Sequence, residues 1–130
     1  DIPALLAGEV LKYRPLDFHV VVNAPEKEIC LYDGTDFVKG YPILSMKDGG
    51  KKNVETTVKD EQAPVSIYSR QFPSADKTLV LAAGGYVIDA ARGTPRSPGF
   101  YLSRQDCNEL AILTRPGTKV TILRGKGEEP

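Results

Sequence analysis

No tryptophan occurs in this chain of 130 residues, and methionine and histidine occur once each. The first two shortages exclude an aromatic cage built on indole and a methionine-rich adaptable groove. The single imidazole, His19, would have to serve any Ser–His or Cys–His nucleophile system. One histidine and two cysteines are too few ligands for a zinc centre of the usual kind. No apolar run approaches the roughly 20 residues that cross a bilayer. No phosphate-cradling glycine motif follows a strand, and no Asn-x-Ser/Thr acceptor is present. No repeat, heptad or low-complexity tract breaks the chain. A resident metal or cofactor is therefore not expected.

Net charge is also missing, since 17 basic residues balance 17 acidic ones. The distribution is uneven: residues 1–62 carry a net −3 and residues 86–127 a net +4. A local excess of that size falls short of the basic stripe that neutralises many phosphates, so nucleic acid is disfavoured as a partner.

What remains is ordinary globular composition, 41% hydrophobic and 26% charged, in a length that fits one domain over 1–130 with a polar tail from about 125. Twelve glycines and ten prolines are spread along the whole length. They punctuate it about every 8–12 residues, the spacing of an all-β sandwich or barrel. Phe18 to Asn23 is rich in β-branched residues, Ala24-Pro25-Glu26-Lys27 reads as a turn, and Glu28 to Tyr32 completes a hairpin. Further strands are expected within Asp36 to Ser45, where Gly40 and Pro42 intervene, and at Val54 to Lys59, Val65 to Tyr68, Thr78 to Ala82 and Tyr86 to Asp89. Phe100 to Leu102, Leu110 to Thr114 and Val120 to Arg124 follow. Lys47 to Asn53 has no apolar residue and two adjacent glycines, which reads as a mobile tip. Ser103-Arg104-Gln105-Asp106 has the form of a capping box, so one short helix is expected over 104–109; Ile2 to Leu11 fits helix or strand. The fold expected is a mainly antiparallel β-sandwich of about nine or ten short strands, with a small barrel as the alternative.

Cys30 and Cys107 form the smallest even set, and the chain, which does not begin with Met, is read as a processed, secreted product. One disulfide between them would close a long loop and stabilise by roughly 4–5 kcal/mol in the chain-entropy model. Asp33 and Asp36 lie in a polar turn that lacks the ligand spacing of a calcium loop. The most informative segment is Arg92 to Phe100, RGTPRSPGF, a proline-stiffened loop with two arginines running into Phe100 and Tyr101. Stiff loops lose little entropy on binding, and arginine and aromatic side chains are the usual anchors of protein contacts. Arg92, Thr94, Pro95, Arg96, Pro98, Phe100 and Tyr101, with Arg115 in a second tip, are the expected partner-binding residues.

Pro98-Gly99-Phe100, Ala83-Gly84-Gly85 and Arg115-Pro116 are superficially similar to the three loops of chagasin-like inhibitors of papain-type proteases. The order along the chain differs, the Asn of the first loop is absent and Gly117 stands where that family has Trp, so no membership follows. The functional expectation is a non-catalytic, secreted protein that blocks a partner protein, a protease among the candidates, through exposed loops. Two alternatives are a small ribonuclease-like hydrolase using His19 with Glu28 and Arg70, and a carbohydrate-binding module presenting tyrosines to a glycan.

Overall fold

A computed structural model describes residues 16–62, 77–95 and 97–125. Among these, nine strands form one mixed sheet: β1 (Phe18–Asn23), β2 (Glu28–Asp33), β3 (Asp36–Pro42), β4 (Ser45–Lys47), β5 (Val54–Gln62), β6 (Thr78–Leu81), β7 (Val87–Ala90), β8 (Gly99–Leu102) and β9 (Lys119–Leu123). The one helix among them, α1, spans Arg104–Leu113. The expected strand at Val65 to Tyr68 and the segment Ile2 to Leu11 lie outside the described residues.

The β1–β2 hairpin forms as the sequence directs. Its turn closes with Lys27 N–H donating to the Ala24 carbonyl at 3.1 Å. Alternation then decides which face is buried: Val20, Val22, Ile29 and Leu31 are fully inside, while His19, Val21 and Cys30 take the other face. At 25–30 cal/mol per Å² of apolar surface, each such side chain contributes about 1.5–3 kcal/mol.

The strand order is β3-β2-β1-β9-β5-β6-β7-β8-β4. The expectation of a mainly antiparallel sheet needs one refinement, because β1 pairs with β9 and β7 with β8 in parallel. The sandwich-or-barrel choice resolves into one curled sheet. Its end strands, β3 and β4, are consecutive in the chain, and the peptide between them is tied to both halves. Ile43 N–H donates to the Lys27 carbonyl and Leu44 N–H to the Tyr101 carbonyl. The concave side holds a single core in which Tyr41, Phe100, Leu79, Leu81, Ile88, Leu102 and Leu110 are 1% exposed or less.

Leu110 to Thr114 is not the expected strand. The helix capped by Ser103, whose hydroxyl accepts from Asp106 N–H at 3.1 Å, runs on through Leu113. Cys107, Leu110 and Ala111 share its buried face at helical spacing, and they pack toward β6, β7 and β8. Glu109, on the outer side, reaches β3, accepting from Lys39 Nζ at 2.6 Å and from the Tyr41 hydroxyl at 2.8 Å.

The segment expected to be a mobile tip is clamped. Arg124 Nε donates to Asp48 Oδ2 at 2.9 Å and Nη1 to the Lys52 carbonyl, and the Arg124 and Asp48 side chains are only 6% and 7% exposed. The Tyr86 hydroxyl and Gly50 N–H both donate to Asp48 Oδ1, and the guanidinium lies over the Tyr86 ring. A Cβ at position 50 would run into that guanidinium, so the glycine is there for close approach. Lack of apolar residues signalled exposure, but the segment is held by polar groups instead.

Candidate functional site

β7 and β8 are parallel neighbours joined by residues 91–98 alone. Parallel pairs usually need a connection of a dozen or more residues, commonly a helix that packs on the sheet. Here the return is too short for a helix, and Pro95 and Pro98 stiffen it. A hollow of about 480 Å³ is left beside the strands, lined by Thr78, Val87, Asp89, Ala90, Arg92, Gly93, Thr94, Pro95, Ser97 and Tyr101. Small-molecule sites have volumes of about 300–1,000 Å³.

The strand ends on either side are firmly set. Ala91 N–H donates to the Leu102 carbonyl and Val87 N–H to the Pro98 carbonyl. Gly99 sits directly against Val87, where a Cβ would collide with the Val87 carbonyl. Asp89 is half-buried and accepts from its neighbour Ala90 N–H at 2.8 Å. Tyr101, 7% exposed, donates its hydroxyl to the Ser97 carbonyl at 2.5 Å. Burial, with the Asp89 charge beside it, pushes the Tyr101 phenol above its ordinary range. Arg92 is exposed, and among the described residues neither it nor Asp89 has an ion-pair partner.

Of the residues singled out from sequence, Arg92, Thr94, Pro95 and Tyr101 come together in this cleft. Arg96 lies outside the described residues. Pro98 is half-buried at the cleft's edge. Phe100 needs correction as a contact residue: its ring is fully buried and stacks on Tyr86 at 5.9 Å. All four β8 residues are buried, so Phe100 faces the core next to Tyr101. Arg115 lines a different and wider hollow of about 730 Å³ between the start of β1 and the end of α1. Thr78 and Asp89 were missed. They lie on β6 and β7, the two consecutive strands that precede the loop, and no local pattern marks them as cleft residues.

The cysteines also need correction, because no disulfide joins them. Cys30 is on the convex face of β2, whereas Cys107 is buried under α1 with its thiol toward the Lys77 and Ile88 carbonyls. Burial, then the neighbouring Glu28 carboxylate, pushes the Cys30 thiol up to about 11. That leaves little thiolate at neutral pH. Alkylation in denaturant without reductant should add two labels by intact mass, and the folded protein should resist labelling at Cys107. A mass unchanged by alkylation would restore the disulfide.

His19 is stacked on Tyr32, centroids 5.3 Å apart and planes 9° apart, on the convex face. Its once-expected partner Glu28 is four residues further along the hairpin, about 13 Å by strand rise. Arg70 lies outside the described residues. Among the described residues no group of His, Cys, Asp and Glu could hold a metal ion. The chemistry of the described cleft is thus one guanidinium, one carboxylate and several hydroxyls.

No protein-family model matches the sequence. No curated protein matches it either. Solved structures do resemble it in fold. L,D-transpeptidase 1 of Mycobacterium tuberculosis superposes with a TM-score of 0.63 at 11% identity, covering 83% of this chain and 62% of that one. An L,D-transpeptidase from Mycobacterium smegmatis gives 0.63 at 10% identity, covering 82% and 58%. The chain therefore spans about three-fifths of the length of these enzymes. This finding overturns the reading as a non-catalytic inhibitor built on a loop-presenting sandwich, since the architecture is one that transpeptidases use.

Proposed function

We propose that this chain is a transpeptidase-like domain whose β7–β8 cleft receives a peptide. The observation that carries the reading is a guanidinium, Arg92, and a carboxylate, Asp89, that line one hollow and have no ion-pair partner among the described residues. The fold shared with L,D-transpeptidases supports it. A peptide offers an oxygen acceptor for Arg92 and an N–H donor for Asp89, and Thr78, Thr94 and Ser97 add hydroxyls that do either. Bonds to ionised groups are worth about 1.5–3 kcal/mol each, enough to orient a short ligand in a half-open site.

The test is titration of N-acetyl-L-alanyl-D-alanine and its all-L isomer into the native chain, followed by amide shifts in NMR, with mass spectrometry of the same mixtures to read turnover. Binding should move the amides of Arg92, Thr94 and Ser97, and Arg92→Ala should weaken it at least about tenfold. Shifts confined to the convex face, or an Arg92→Ala variant that binds as the native chain does, would remove the cleft from consideration.

A further inference from the structure

Few hydrogen bonds among the described residues hold the loop that carries Arg92. Among the described residues, no backbone–backbone hydrogen bond outside the strands involves Arg92, Gly93, Thr94, Pro95 or Ser97 as donor or acceptor. The nearest such bonds are made at its two ends, by Ala91 and Pro98. Two prolines restrict its backbone, but they fix φ at single residues and do not attach the loop to the sheet. Among the described residues one side chain does attach it: the Tyr101 hydroxyl, donating to the Ser97 carbonyl at 2.5 Å.

Tyr101 is well placed to act as an anchor. It is on β8, buried in all four residues, and it pairs in register with Asp89 of β7. Its own carbonyl accepts from Leu44 N–H, so the peptide that links the two ends of the curled sheet hangs on the same residue. The charge of Asp89 and burial both oppose ionisation of the phenol, so the donor proton stays on the oxygen well into the alkaline range.

We propose that Tyr101 is a positioning residue: its hydroxyl holds Ser97 against the sheet and so keeps Arg92 and Thr94 on the wall of the peptide cleft. The inference rests on the peptide-binding reading for its purpose, while the tie itself can be tested without any ligand. Removing the hydroxyl alone leaves the ring packed and the core intact. The loop is then free to sample other conformers, and Arg92 must be ordered each time a ligand binds.

The experiment is backbone nitrogen relaxation and peptide titration on Tyr101→Phe beside the native chain. Order parameters at Arg92, Gly93, Thr94 and Ser97 should fall below about 0.6, while those of Val20, Ile88 and Ile122 stay near about 0.85. Affinity for the acetylated dipeptide should fall about tenfold, with the thermal midpoint little changed. In the native protein the Tyr101 hydroxyl proton should itself exchange slowly enough to give an NMR signal coupled through space to residue 97. This second readout decides the matter if the variant does not fold. Loop order parameters unchanged in Tyr101→Phe, or a Tyr101 hydroxyl proton that exchanges as in free tyrosine, overturns the proposal. A native chain that binds neither dipeptide, with loop order parameters still lowered by Tyr101→Phe, leaves the tie standing and removes the peptide reading alone.

Discussion

Replacing Arg124 by methionine should lower the stability of the protein by about 3–5 kcal/mol, read from urea midpoints at constant m-value. Methionine keeps much of the side-chain volume and removes the charge. Asp48 would then stay buried as a carboxylate with only the Tyr86 hydroxyl and Gly50 N–H to satisfy it. Breaking one side of a buried pair costs far more than the intact pair contributes, because the remaining charge is stranded away from water. An exposed pair such as Lys39–Glu109, with side chains 48% and 42% exposed, should by contrast change stability little when broken. Acid gives a second check. In the native chain burial tends to raise the Asp48 carboxyl, but the bonds from Arg124, Tyr86 and Gly50 and the Arg124 charge outweigh it and hold the group below the usual range. Its contribution is therefore present above the ordinary carboxylate pKa and is lost as pH falls toward the lowered folded-state value. Without Arg124 the burial effect prevails, protonation relieves the stranded charge, and the gap between variant and native chain should narrow below about pH 5. Equal stability of the two at neutral pH would mean that the clamp contributes nothing to the fold.

Phe100→Ala should destabilise by a comparable amount, about 3–5 kcal/mol by the same urea measurement. The ring is fully buried, faces Tyr86, and belongs to a strand with no exposed residue. Its removal leaves a cavity between β8 and the Tyr86 ring that already supports Asp48 and Arg124, so the two sites should couple in a double-mutant cycle. Phe100→Leu should cost much less, because most of the volume is kept. If Phe100 were the exposed contact residue that its place after a loop suggests, the alanine variant would lose less than about 1 kcal/mol.

Local chemistry was read well wherever it decides the structure by itself. The run of valines, the proline turn and the next alternating run specify the β1–β2 hairpin within sixteen residues, Phe18 to Asp33. Ser103 marks the start of α1 because its cap acts over three residues. The helix end was missed because Leu110 to Leu113 is apolar enough for either state, and only packing against β6, β7 and β8 chooses. The clamp was invisible for a different reason: Asp48 and Arg124 are 76 positions apart. The cleft was half legible. A loop rich in arginine and proline points to itself, but Thr78 reaches it through the antiparallel β6–β7 pairing, Asp89 is marked only by the face its strand turns to the cleft, and the buried side of Phe100 depends on the parallel β7–β8 register.

The place of β9 has a consequence for how the chain is made. It is the last strand in chain order, yet it lies fourth of nine in the sheet, between β1 and β5. Until Lys119–Leu123 has been synthesised, β1 to β3 on one side and β5 to β8 with β4 on the other meet only through the peptide at Ile43 and Leu44, and the facing edges of β1 and β5 stay raw. Such edges invite pairing with other chains. A ribosome working at about 5–20 residues per second would hold both edges open for several seconds, so any loss of residues 119–123 should yield aggregate in place of a smaller folded domain.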